Sequence, residues 1–208
     1  TLAASSNKQI ANVLNDAVII VNPSYNPDGH ERFVVWYNSI ERGDKSADAV
    51  EHQESGFNNG RTNHYRFDLN RDRVAMSRLE TQQEVAEFRK WNPQVYVDQH
   101  GQVGTYFFPP VAQSIHKDIG RERYIELSTV LGKETAKAFD EHGWRYYVRE
   151  TFDFYGAVYL DTWASFNGAI GMTHETDGGR AVRIEREDGS VRTLRDGMAK
   201  HFTSALAV

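Results

Sequence analysis

Cysteine is absent from all 208 residues, which removes disulfides, zinc ribbons and thiol nucleophiles from consideration together. The compartment stays open, because many exported bacterial proteins also lack cysteine. No run approaches the roughly 18 to 20 uncharged apolar residues that a spanning helix needs, so a membrane span is not expected. There is no excess of basic charge either: 24 Lys and Arg stand against 29 Asp and Glu, a net charge of −5, and no basic stripe offers itself to nucleic acid. The chain begins at Thr1 with no Met, no charged leader and no apolar leader segment, and reads as a mature product or an excised piece. What is present is ordinary for a folded protein. Hydrophobic residues make up 39% and charged residues 25%, far from a disordered composition. At about 150 residues per domain, this length fits one domain better than two.

Apolar periodicity outlines the elements. Ile10, Val13 and Leu14 recur at helical spacing within Lys8 to Leu14, and Ala17 to Val21 is a short β-branched run expected to be a buried strand. Asn22-Pro23 and Asn26-Pro27-Asp28-Gly29 then predict an ordered loop. Glu41 to Asn63, poor in apolar residues, reads as a long surface loop. Ser77 to Trp91 is an amphipathic helix stopped by Asn92-Pro93, and Val95 to Gly101 is a strand with a polar end. Helical spacing covers about Ile115 to His142. Trp144 to Val148 and Ala169 to Thr176 read as strands, and Leu194 to Leu206 as a closing helix. Strands separated by long helices predict an α/β domain, three-layer α/β/α, with a mixed, largely parallel central sheet whose strand ends carry the function.

Several polar residues stand where chemistry is possible. Asn70 and Arg71, in Phe67-Asp68-Leu69-Asn70-Arg71-Asp72, form either a solvated turn or an anion clamp, in which a planar guanidinium meets a carboxylate through two parallel hydrogen bonds. His100 closes a strand beside Asp98; residues two apart share a strand face, so the carboxylate is placed to orient the imidazole. Taken alone, such a histidine is more often structural. Glu175 ends an otherwise apolar strand, where desolvation disfavours its charged form and suits it to act as a base. A strand-end ion pair is the competing reading.

The order of these residues carries more information than any one of them. Asn26-Pro-Asp-Gly29, Asp68-Leu-Asn-Arg71, Asp98-Gln-His100, and Asp161 with Glu175 fourteen residues on resemble the zinc metallocarboxypeptidase (carboxypeptidase A-like) family over nearly the whole chain. The resemblance implies hydrolysis of a C-terminal peptide bond at a Zn2+ ion held by two histidines and a glutamate, with a separate glutamate as general base. It implies a partner that is a peptide or small amide with a free terminal carboxylate. Residue by residue, His100 matches the second histidine ligand and Glu175 the base. Asn70 and Arg71 match the carboxylate grip, and Asp68 matches the carboxylate that orients the first histidine. Tyr155, followed by Gly156, is preferred to Tyr159 as the mobile tyrosine over the substrate. Leu160, before Asp161, is expected to help floor a pocket for apolar side chains.

One departure stands against these matches. The family draws its first two ligands from His-x-x-Glu upstream of Asn-Pro-Asp-Gly, and no histidine here has glutamate three residues later. Residues 1–208 are therefore expected to form one domain, the C-terminal portion of a catalytic domain whose upstream part is missing, and to be inactive alone. The oxyanion-stabilising arginine is unassigned, since Arg32 and Arg42 fall in no clear register. Two other functions stay open: a non-catalytic peptide-binding module of the same fold, and a zinc-dependent amidohydrolase that deacylates small amino acids. Enzymes of this family are commonly exported, so a secreted or periplasmic location is one reading, and the sequence leaves the compartment open.

Overall fold

The computed structural model describes residues 8–208 apart from 45, 47, 53–55, 58, 103, 112–114, 150, 151, 153 and 179–181. Its centre is a four-stranded sheet made by β1 (Val95–Gln102), β2 (Tyr106–Phe107), β3 (Tyr146–Tyr147) and β4 (Ile170–Asp177), in the order β1-β4-β2-β3. β1 runs parallel to β4 and β2 parallel to β3, while β2 and β4 are antiparallel. The mixed, largely parallel sheet expected from the sequence is present.

Helices cover both faces. Numbered in chain order, they are α1 (Lys8–Asp16), α2 (Pro27–Ile40), α3 (Leu79–Trp91), α4 (Arg121–Glu141), α5 (Leu160–Phe166) and α6 (Leu194–Ala207). α3 and α5 lie on the face of Tyr96, Thr173 and Glu175: Phe88 meets both Tyr96 and Trp163 edge-on or tilted. α5 comes so close that a Cβ on Gly171 would stand 1.9 Å from the Asp161 carbonyl oxygen, so glycine is required there for helix and strand to touch. α4 and α6 close the other face, where Tyr106, Phe108 and Phe139 form a fully buried aromatic cluster. Burying each such ring contributes about 1.5–3 kcal/mol. A small hairpin of β5 (Arg183–Glu185) and β6 (Val191–Thr193) leads into α6. No helix among the described residues is long and apolar enough to cross a membrane.

Two expectations are corrected. Ala17 to Val21 is not a strand: Val18, Ile19, Ile20 and Val21 are 72, 45, 56 and 67% exposed, and the segment pairs with no described strand. A β-branched run prefers extended backbone, but a ladder needs a neighbour to bond to; the free edge of β1 is likewise unpaired among the described residues. The second correction concerns Asn26-Pro27-Asp28-Gly29, which starts α2 and is no loop. Asn26 caps the helix by accepting from the Gly29 N–H at 3.1 Å, with Pro27 in its first turn, the position where a missing N–H costs nothing. The Glu41 to Asn63 loop, in part outside the described residues, contains a 3-10 turn at Val50–His52 whose buried Glu51 accepts the Asp44 N–H at 2.6 Å.

α6 braces β1 from behind. His201 donates through Nε2 to the His100 carbonyl at 2.7 Å, and the Tyr106 hydroxyl donates to its Nδ1 at 2.9 Å. Both nitrogens are thus used by a neutral ring, and burial pulls His201 down to about 4. Next to it His174, 1% exposed, is pulled by burial to about 3. The unfolded chain protonates such a histidine near pH 6.5 and the native one does not, so its contribution to stability falls as pH drops below 6.5. Relative to His174→Gln, the protein is expected to lose about 2 kcal/mol between pH 7 and pH 5. Urea unfolding of both proteins at the two pH values checks this; a constant difference would show that His174 does not titrate this way.

Candidate active site

Parallel register sets the chemistry side by side. His100 pairs with Glu175 and Asp98 with Thr173, and paired residues on adjacent strands share a face. His174, one residue off, points to the opposite face and lies 6.3 Å, ring to ring, from Phe108. His100 sits near the carboxyl ends of two parallel strands, where open α/β sheets collect their functional groups.

The histidine is already oriented. Its Nε2 donates to Asp98 Oδ2 at 2.6 Å, which leaves Nδ1 as the nitrogen for a further ligand. Burial lowers its proton affinity, but the Asp98 carboxylate outweighs burial and the pKa is raised. Glu175 is raised as well, by desolvation first, with His100 and Arg61 pulling it down and Asp98 pushing it up. Its Oε2 is buried and has no hydrogen-bond partner among the described residues, so the competing ion-pair reading does not describe that oxygen there. Behind them Asp161, 2% exposed, accepts from the Thr173 hydroxyl at 2.6 Å and from the Thr162 N–H at 2.6 Å. Desolvation lifts Asp161 to about 6.

A 3-10 turn at Leu69–Arg71 brings the second group of residues to the same place. Asp68 caps it by accepting the Asn70 N–H at 3.0 Å. The same carboxylate holds Arg61 Nε at 2.9 Å; the sequence-based role for Asp68, orienting a first histidine, has no such histidine here to act on. Asn70 brings its Nδ2 within 3.4 Å of His100 Nε2, while its Oδ1 accepts the Leu160 N–H at 3.2 Å. Arg71 donates through Nη1 to its neighbour's carbonyl at 2.7 Å and is otherwise exposed. Its guanidinium lies 4.4 Å from the centre of the Tyr159 ring.

The two tyrosines weighed from the sequence are thus separated. Tyr155 is 58% exposed with its ring 4.8 Å from that of His116, whereas Tyr159 stacks on Arg71. Leu160 is 3% exposed. Arg61 was missed in the sequence: it lies in no helix or strand and no periodicity marks it, yet its charge is felt at both His100 and Glu175. Arg32, one of the arginines considered, is committed elsewhere, donating to the carbonyls of Asn59, Thr62 and Asn63 at 2.7–3.1 Å.

A catalytic zinc needs three protein donors at about 2.0–2.2 Å. Among the described residues no three His, Asp or Glu side chains gather to hold a metal ion. The donors among the described residues do not by themselves fit the ion.

Comparison with known proteins agrees with the fold. No curated protein matches the chain. Among solved structures, the chain is similar to a metallo-carboxypeptidase from Burkholderia cenocepacia, with a TM-score of 0.56 at 14% identity. The match covers 72% of this chain and 39% of that one, so the polypeptide spans well under half the length of its structural neighbour. The family model for zinc carboxypeptidases matches residues 1–176. The chain belongs to the zinc carboxypeptidase family.

Proposed function

We propose that residues 1–208 are the C-terminal portion of a zinc metallocarboxypeptidase catalytic domain, which hydrolyses the terminal peptide bond of a substrate with a free carboxylate. One observation carries the reading: His100 and Glu175, whose Oε2 has no hydrogen-bond partner among the described residues, are paired across adjacent strands, with Asn70 3.4 Å from His100 and Arg71 next in sequence. A ligand, a base and an anion grip therefore share one surface. Zinc, when bound by the complete domain, supplies a Lewis acid.

This chain's own residues do the rest. Arg71 and the Nδ2 of Asn70 bind the terminal carboxylate and set the scissile carbonyl toward Glu175. Glu175, kept from ionising too readily by its burial, takes a proton from the attacking water. It returns that proton to the leaving nitrogen as the C–N bond breaks. Arg61 is placed to stabilise negative charge developing on the carbonyl oxygen. Asp98 holds the His100 ring in one orientation throughout.

The missing ligands are proposed to come from a further segment carrying His-x-x-Glu. The bare edge of β1 and the exposed, apolar Val18 to Val21 are surfaces a further strand could cover. The donor deficit favours one competing reading, a peptide-binding module that keeps the Arg71 grip and holds no metal.

In a polypeptide completed by that segment, Arg71→Ala is expected to lower kcat/KM by about 10- to 100-fold on free-carboxylate peptides, the range of a charge-assisted bidentate pair. Peptides amidated at the C-terminus should be nearly unaffected. Equal losses on the two substrates would remove the grip. Small N-acyl amino acids in the same assay separate peptide cleavage from deacylation.

A further inference from the structure

The carboxylate grip proposed above is itself held by one corner of the chain, Tyr159-Leu160, at the start of α5. Tyr159 occupies the cap position of that helix with extended backbone, and its carbonyl accepts the Trp163 N–H at 2.9 Å. Its ring is therefore fixed to a buried helix whose Asp161, Thr162 and Ala164 are almost fully enclosed. Gly156 lies against the same ring: a Cβ there would stand 3.1 Å from Tyr159 Cε2. From this anchored position the ring meets the guanidinium of Arg71 at 4.4 Å. The next residue deals with Asn70, since the Leu160 N–H occupies Asn70 Oδ1 at 3.2 Å. That bond turns the amide so that its Nδ2, the donor, is the atom presented near His100.

We infer that Tyr159 is a positioning residue for carboxylate recognition, its ring holding the Arg71 guanidinium flat so that its free edge faces the substrate's terminal carboxylate. Arg71 is exposed, and an exposed arginine otherwise samples many rotamers. A ring face attracts a cation electrostatically and matches the planar guanidinium in shape. In this arrangement Tyr159 acts through Arg71. The inference rests on the grip reading, and the two can fail separately.

The test uses the 208-residue chain, with N-acetyl-phenylalanine as the probe and its amide as the control, followed by NMR of the Arg71 Nε–H. Tyr159→Phe and Tyr159→Trp keep an aromatic face and should bind the acid within about twofold of the parent. Tyr159→Leu should weaken acid binding about three- to fivefold, the effect of one exposed cation–π contact, and leave the amide unchanged. The Arg71 side-chain protons, shifted upfield by the ring, should move downfield in Tyr159→Leu alone, and the loss of acid binding there without loss of amide binding, rescued by Tyr159→Phe, is the signature that a purely structural role would not produce. The inference is overturned if Tyr159→Leu binds the acid as the parent does, or if Tyr159→Trp behaves like Tyr159→Leu. Arg71→Ala separates the levels. If that variant still prefers the acid over the amide as the parent does, the grip reading falls and takes this inference with it. If Arg71→Ala abolishes the preference and Tyr159→Leu does not change it, only the role of Tyr159 falls.

Discussion

Glu175→Gln, made in a polypeptide completed by the His-x-x-Glu segment, is expected to lower kcat by about 10²- to 10⁴-fold, the range of a lost general base, while zinc stoichiometry stays unchanged. Glutamine keeps the shape and both polar atoms of the side chain but cannot accept and return a proton. Burial raises the pKa of Glu175, and its Oε2 has no hydrogen-bond partner among the described residues, so no ion pair with them consumes that oxygen. The same facts predict that the variant is no less stable than the parent, because a neutral amide removes a charge that burial penalises. Steady-state kinetics and metal analysis on one preparation decide it. Near-normal kcat would sink the assignment of Glu175 as base.

The second large effect concerns the 208-residue chain by itself, which is expected to bind no stoichiometric zinc and to cleave no peptide. One imidazole cannot compete with water for zinc, and affinity falls by orders of magnitude with each missing ligand. His100 is oriented by Asp98 at 2.6 Å, yet no second and third donor join it among the described residues. Adding a segment that carries His-x-x-Glu is expected to restore both metal and activity, and to protect the exposed Val18 to Val21 run from hydrogen exchange. Metal analysis and a peptide-cleavage assay on the two polypeptides measure this. A 1:1 zinc complex with His100-dependent activity in the shorter one would overturn the claim that the ligand set is incomplete.

Both expectations depend on residues whose types were readable and whose neighbours were not. The order Asp68-Asn70-Arg71, His100, Glu175 was enough to suggest the family, because motif order survives where overall similarity is slight. The pairing of His100 with Glu175 was not readable: it follows from the register of β1 on β4, and a one-residue slip would have sent Glu175 to the far face with His174 in its place. Sequence offers only the glycine after Tyr155 to choose between Tyr155 and Tyr159, and says nothing of Arg71, 88 positions earlier in the chain, whose guanidinium lies over the Tyr159 ring. Arg61 was invisible for the same reason, since its relation to Asp68 and the site is made by a loop fold and by no periodic pattern.

By itself the sequence determined the elements that rest on local periodicity: β1, β4, α3 and α6 lie within two residues of where apolar spacing puts them. α4 begins at Arg121, six residues later than the spacing from Ile115, which leads instead into a 3-10 turn at Lys117–Ile119. It determined the chemical types at the site and the absence of a His-x-x-Glu pair. Only the tertiary structure decided whether an extended segment becomes a strand. Val18 to Val21 has the β-branched composition of one and stands exposed, because strand bonds are made with a neighbouring chain segment and none of the described residues supplies it. It also decided that Asn26-Pro27-Asp28 opens a helix, and that one corner at Tyr159-Leu160 holds both members of the grip. Local spacing reports the rotation of a single element, whereas pairing, capping geometry and side-chain stacking are set by what the rest of the chain brings alongside.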